Sequence, residues 1–497
     1  MVWHKEGRKI PPYVSISLLV SVGGMLFGLD TGTIGPVTTM STFEKSFGAL
    51  SATLHGVVVS SILIPAAISS MFAGNVADLY GRPRTIMFGA TVFGVGAAIE
   101  CAANRLAAFI VGRIITGFGE GFFLSILVVY ICEISPARRR GPLASMPQFL
   151  TTVGIATGYF ISYGTERIDS SASWRVPLAF QSFMALSFAV VCAWIPPSPR
   201  WLLAKGRPDE AAITLARLGV HLEEQEEMAR LNDSAPAPVQ KMGLSQSIRA
   251  TFRDMTRVFG KEVRKRTALG CFMMAMQQFS GIDGVLYYAP LLFRQAGLSS
   301  ESATFLASGV SAIVIFAVTI PASILSDHWS RRASTFGGGL GLAATMLFIG
   351  SLYAGGAVHA HHGAGRWLVI VTIYLFAVVY SVTWAIGFKI YSSEIQPPAT
   401  RAPATSLAQS CNWLANFVVA LTTPVFLSRT TYGAYYFFGL CSLLTVVVCL
   451  ITMPETRGKT LEEIDSSFQH HSWLELWNHE MLIIASYRTA AQQNLVT

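Results

Sequence analysis

Apolar residues run through this chain in long blocks, separated by short polar turns, with neither the strict alternation of a half-buried strand nor the narrow stripe of a surface helix. About twelve blocks approach the roughly 20 residues an α-helix needs to cross a bilayer core. They lie near 13–34, 54–77, 85–103, 106–132, 141–163, 176–196, 267–293, 303–326, 334–355, 367–393, 403–427 and 432–453. The longest polar interval splits them six and six. The pattern predicts an all-α membrane protein with twelve transmembrane helices: an N-terminal six-helix bundle over 1–196, a cytosolic helical linker over 197–266, a C-terminal six-helix bundle over 267–453 and a cytosolic tail over 454–497. In the linker, "RPDEAAITLARL" and "SQSIRATFRDMTRVFGKEVRKR" have helical spacing, and "NDSAPAPVQ" breaks it. In the tail, Trp473, Trp477, Met481 and Ile484 recur at helical steps, which fits an interfacial helix or packing on another part of the protein.

The two halves echo each other. Glu133 precedes Arg140 by seven residues in "EISPARRRG", and Glu394 precedes Arg401 by the same step in "EIQPPATR", each pair closing a long apolar segment. Repeated membrane units that bind a solute near the bilayer midplane are a common basis for alternating access, so the echo points to a transporter.

Composition narrows the class further. With 497 residues, 52% hydrophobic, 13% charged and a mean hydropathy of +0.49, the chain is too apolar for a soluble protein. The net charge of +8 reads as a topology signal. Both termini in the cytosol would put Lys5, Arg8, Lys9, Arg82, Arg84, Arg138, Arg139, Arg140, Arg331, Arg332, Arg401 and Lys459 inside, leaving scattered charges such as Lys45 and Arg294 outside. The first block lacks a small-residue cleavage pattern and reads as a signal anchor. No nucleic-acid patch, nucleotide loop, or nucleophile paired with a base stands out, so neither an enzyme nor a cofactor is expected. All seven cysteines fall in apolar segments without metal-like spacing. His359, His361 and His362 in "HAHHG" fit a solvated outer turn or a weak metal site, and the sequon at Asn232 falls in the linker, on the cytosolic side. The expectation is a monomer in the lipid bilayer of the plasma membrane.

Polar residues inside the blocks are the candidate chemistry. Asp30 and Arg113 lie roughly 8–10 Å below the outer end of their spans at ~1.5 Å per residue, a match in depth that does not by itself make them neighbours. An ionised carboxylate there costs about 2.5–3.5 kcal/mol on insertion scales, so Asp30 should be paired, protonated or wet. Gln148, Gln277, Gln278 and Asp283, with Tyr287 and Tyr288 just over one helical turn beyond Asp283, offer hydrogen-bonding groups suited to a polyol, whose hydroxyls both donate and accept. Nearer the cytosol, Asp78 with Arg82 and Asp327 with Arg331 repeat one pairing. With Glu133, Arg140, Glu394 and Arg401 they can form an inner latch that opening would separate.

"GNVADLYGRPR", "GRIITGFGEGFFLSILVVYICEISPARRRG", "PPSPRWLL", "QQFSGIDGVLYY", "SCNWLANF" and "PETRGKTLEEID" occur in that order. Together they resemble the sugar porter branch of the major facilitator superfamily, over about Gly24 to Asp465. The resemblance implies the major facilitator fold and a carrier for a sugar or related solute. It implies sugar contacts at Gln148, Gln277, Gln278 and Asn412, a cavity border at Phe27 and Trp413, an outer gate at Tyr287, and an inner gate at the charged residues above. In proton-coupled members an aspartate at the place of Asp30 carries the proton; facilitative relatives tend to have an amide. Symport and a permanent Asp30–Arg113 ion pair both remain open, as does a transport-derived sensor, a class that usually has a longer cytosolic tail. The chain departs from the family pattern at several points: Asp283 replaces the usual asparagine, Lys389 the usual tryptophan, Ala312 a polar amide, Pro197 a glutamate, Ser330 a glycine and Val128 a proline. Lys389 needs a counter-ion or water. It could pair with Asp283 across the cavity, or bind a carboxylate on a sugar acid or quinate-like solute.

Overall fold

The computed structural model describes residues 11–220, 253, 256–261, 263–298, 300–325, 329–359, 363–397, 400–457, 464 and 468. Every regular element among them is helical. The first six spans are α1 (Pro12–Thr39), α2 (Ala52–Ser60, continued after a turn by Leu63–Tyr80), α3 (Arg82–Ala102), α4 (Leu106–Ile134), α5 (Met146–Thr165) and α6 (Ala172–Cys192). The second six are α7 (Arg264–Phe279, Ile282–Tyr287 and Ala289–Gln295), α8 (Glu301–Leu325), α9 (Arg331–Ala354), α10 (Gly365–Val382 and Trp384–Glu394), α11 (Arg401–Arg429) and α12 (Gly433–Thr452). Two short helices, Pro199–Ala204 and Pro208–Leu218, follow α6. Linker residues 221–252 (Asn232 among them), 254, 255 and 262, and also His361, His362, Asp327, Lys459 and the Trp473 stripe, lie outside the described residues.

Ten of the twelve spans are long and apolar enough to cross a membrane on length and composition; α5 and α7 are the exceptions. Both carry amides or acids in their interior turns, and α7 is broken twice. Gly281 at φ 92° makes the first break. A side chain there would be strained and would press on the Phe438 ring. The expected single helix over 267–293 is therefore replaced by three pieces. In α10, Thr383 interrupts the ladder and leaves the Trp384 carbonyl to accept from Gln277 Nε2 at 2.8 Å.

Close packing inside the N-terminal bundle comes from a glycine stripe. Gly24, Gly28 and Gly32 on α1 face the backbone carbonyls of Pro147, Thr151 and Ile155 on α5 so closely that any Cβ would collide with them. Small residues at four-residue steps allow this approach between membrane helices, where lipid supplies little drive for association. The stripe places Asp30 on α1 and Gln148 on α5 within one tightly joined pair.

Candidate functional site

Within the N-terminal bundle, Arg113 is fully buried and donates from NH1 to Asp30 Oδ1 at 2.5 Å and from NH2 to the Val59 carbonyl at 3.2 Å. Asp30 also accepts from Gln181 Nε2 of α6 at 3.0 Å. Two further acids share the cluster. Glu100 of α3 lies 3.9 Å from the guanidinium and accepts from the Thr116 hydroxyl at 2.6 Å. Glu120, two turns beyond Arg113 on α4, lies within electrostatic reach of Asp30, Arg113, Glu100 and Tyr287. Both glutamates are at most 1% exposed, and each has a carboxylate oxygen without a hydrogen-bond partner. Glu100 and Glu120 were absent from the sequence-based candidates. Their signal was present all the same: an acid inside a membrane-length apolar block is a functional candidate by default.

The C-terminal bundle holds an amide cluster instead. Asn412 of α11 donates to the Met274 carbonyl at 2.7 Å and to Gln277 Oε1 at 3.0 Å, and its own Oδ1 accepts from Gln278 at 3.2 Å. One turn on, Asn416 donates to Asp283 Oδ2 at 2.6 Å and reaches the Tyr287 hydroxyl at 3.5 Å. Gln278 Oε1 and Asn416 Oδ1 are buried acceptors with no donor. Asn416 was also missed, although it sits in the "SCNWLANF" run. The expected Asp283–Lys389 pair does not form: Asp283 is held by amides, and Lys389 donates to Gln148 Oε1 at 3.1 Å. Lys389 is exposed although neighbouring helices surround it.

Along the C-terminal half of α1 and the later pieces of α7 the halves press together. Phe27 meets the Trp413 ring edge-on at 5.9 Å, and His55 meets Tyr288 at 5.3 Å. The Tyr159 hydroxyl donates to the Leu286 carbonyl, and Gly35 and Gly56 abut the carbonyls of Tyr287 and Leu421.

At the opposite end, the charged residues pair within each half. Arg82 binds Asp78 at 2.7 Å and Glu133 at 3.0 Å, and Arg331 binds Glu394 at 3.5 Å. Arg140 and Arg401 donate to carbonyls of their own turns, Ser135 and Gln396. Among the described residues no ion pair crosses between the bundles, so the expected single network spanning both is not formed here. Glu455, just past α12, accepts from the backbone N–H of Arg331 at 3.1 Å and Arg332 at 3.2 Å and from the Ser330 hydroxyl, capping α9. Burial pushes this carboxyl up, but the bonds from Ser330 and from the N–H groups of Arg457, Arg332 and Arg331 outweigh it and hold Glu455 below the ordinary glutamate value.

A family profile described as "Sugar (and other) transporter" matches residues 16–468. The chain is 31% identical to a low-affinity glucose transporter of Saccharomyces cerevisiae, over 92% of this chain and 81% of that one. It is 30% identical to a glucose transporter of Staphylococcus epidermidis, over 90% and 96% of the two chains. Among solved structures, the proton:xylose symporter XylE bound to 6-bromo-6-deoxy-D-glucose superposes with a TM-score of 0.73 at 26% identity, covering 92% of this chain and 99% of that one. Twelve membrane-spanning helices in two six-helix bundles and a profile match over nearly the whole chain make this protein a member of the sugar transporter family of the major facilitator fold.

Proposed function

We propose that the protein carries a sugar or related polyhydroxylated solute across the plasma membrane together with a proton, by alternating access, as a monomer with both termini in the cytosol. The observation that carries the solute part is the pair of buried, donorless oxygens, Gln278 Oε1 and Asn416 Oδ1. A buried acceptor without a donor costs about 1–3 kcal/mol, and a solute hydroxyl removes that cost. Gln148, Gln277, Gln278, Asp283 and Asn412 then hold hydroxyls, Phe27 and Trp413 bound the pocket, and Tyr287 belongs to the outer gate. The relatives named as glucose transporters, and the neighbour named as a proton:xylose symporter, support the same reading.

The proton part rests on charge balance. Asp30, Glu100 and Glu120 face the single guanidinium of Arg113, and full ionisation would leave two uncompensated charges in a dry interior. The cluster therefore stores protons. In the cycle, Asp30 takes a proton from outside and loosens Arg113 and Gln181; the bundles, 1–196 and 267–453, then rock against each other, joined through 197–266. Proton release inside restores the pair. The contacts between the halves around Tyr287 and Tyr288, with Lys389 exposed, support an inward-facing conformation. The inner gate is the two separate pairs, Arg82–Glu133 and Arg331–Glu394, with Asp78, Arg140, Asp327 and Arg401 around them.

Uptake by proteoliposomes under an imposed pH gradient, acid outside, tests this. Asp30→Asn is expected to abolish accumulation against a gradient while solute exchange at equal concentrations persists. Full accumulation by that variant would remove Asp30 as the proton carrier, and wild-type protein that only equilibrates the solute under the pH gradient would leave an uncoupled facilitator with a permanent Asp30–Arg113 ion pair as the correct description.

A further inference from the structure

Building on the transport reading, we propose that the solute is a polyhydroxylated acid, such as a uronate, whose carboxylate is bound by the Lys389 ammonium. Lys389 belongs to the second piece of α10, where Trp384, Phe388 and Tyr391 are fully buried and do the packing. Lys389 points away from that packed face and is exposed. Its ammonium has three donors, and one is used, on Gln148 Oε1 at 3.1 Å. The other two are left for water or a solute.

Among the described residues, no carboxylate lies within ion-pair distance of the ammonium. Asp283, the acid near enough to influence it, is already engaged by Asn416 at 2.6 Å and by Gln278. Glu394, one and a half turns along the same helix, is held by Arg331 and by the Thr456 hydroxyl at 2.7 Å. A cation enclosed among membrane helices without a counter-ion is costly unless water or a ligand supplies the compensation. Here the protein has satisfied its acids elsewhere and left the cation facing the solute's path.

The two walls also fix an orientation. The α5–α10 wall carries Lys389 and Gln148, which suit the carboxylate end. The α7–α11 wall carries the donorless oxygens of Gln278 and Asn416, which suit hydroxyls and, beside the Asp283 carboxylate, repel a second anion. A phosphate ester fits less well, since its dianion is ordinarily matched by more than one cation or by a bidentate arginine.

Full-length purified protein would be tested for binding of D-galacturonate, D-galactose and D-galactose 6-phosphate by ligand-induced thermal shift, with uptake into liposomes as a second readout. Wild type is expected to bind the uronate about tenfold or more tightly than the neutral hexose, as one charge-assisted bond permits. Lys389→Met should collapse that ratio and Lys389→Arg should largely restore it; both readouts compare ligands within one protein, so a partly unfolded fraction does not alter the ratio. Proton-driven galactose accumulation with no preference for galacturonate overturns the acid assignment and leaves the transport reading standing. A preference for the phosphate ester, or an unchanged ratio in Lys389→Met, also overturns it. If no tested solute accumulates under a pH gradient, both readings fall together.

Discussion

The two bundles are fastened at the ends that carry Arg82 and Arg331 by the same fittings and differ in what they carry inside. In the N-terminal half the Tyr130 hydroxyl donates to the Pro196 carbonyl at 2.6 Å; in the C-terminal half Tyr391 does the same to Pro454 at 3.1 Å. Arg140 and Arg401 each bind the carbonyl five residues back, and Arg82 and Arg331 each bind a glutamate. One fitting is unequal: Glu455 caps α9, whereas its counterpart in the other half is Pro197, which has no carboxylate to offer. The interiors diverge more. The N-terminal half buries one guanidinium among three carboxyls, and the C-terminal half buries interlocked amides. Shared fittings make two similar bodies, and the unequal interiors divide the labour between proton and solute.

The largest expected effect breaks that division at its centre. Arg113→Met strands Asp30, Glu100 and Glu120 without a cation and should cost about 3–5 kcal/mol of stability, read as thermal unfolding of the detergent-solubilised protein. Gln277→Met in the amide cluster should cost about 1–3 kcal/mol. Equal losses would show that the two interiors are not energetically distinct.

The unequal cap gives the next effect. Glu455→Gln should lower stability by about 1 kcal/mol, from the lost anion at the N-terminus of α9. Because the folded Glu455 value is depressed, its contribution is fully present above the ordinary glutamate value of about 4.3 and fades as pH falls through the lower folded value. The wild-type and Gln curves should therefore converge only in acid; a difference that persists below pH 3 or so would assign the effect to packing. The smallest effect is the reciprocal change. Pro197→Glu should add at most about 1 kcal/mol and slow inward opening of the N-terminal half, seen as a lower uptake rate at unchanged affinity. A faster carrier would mean that the proline is not the looser fitting.

Much of this was legible in the chain itself. The twelve blocks and the paired "EISPARRRG" and "EIQPPATR" ends needed only hydropathy and spacing, because a bilayer admits few alternatives to helices of that length. The breaks in α7 and α10 were not legible. Gly281 and Thr383 are common residues inside apolar runs, and only tertiary packing, such as Phe438 against Gly281, decides where a ladder opens. Partner choice was equally hidden: Asp283 and Lys389 have opposite charges, but position along two helices does not reveal that Asn416 reaches the acid first. Glu100 and Glu120 were readable and were passed over because they lie between the family-like motifs or inside one without belonging to its known pattern.

The glycine stripe on α1 leaves no slack against α5. Asp30 rides on one member of that pair and Gln148, the partner of Lys389, on the other. Any tilt that relieves the charge at one end of this strut is delivered, undamped, to the hydrogen bond at the other, so the two helices act as a lever whose arms are the proton and the cargo.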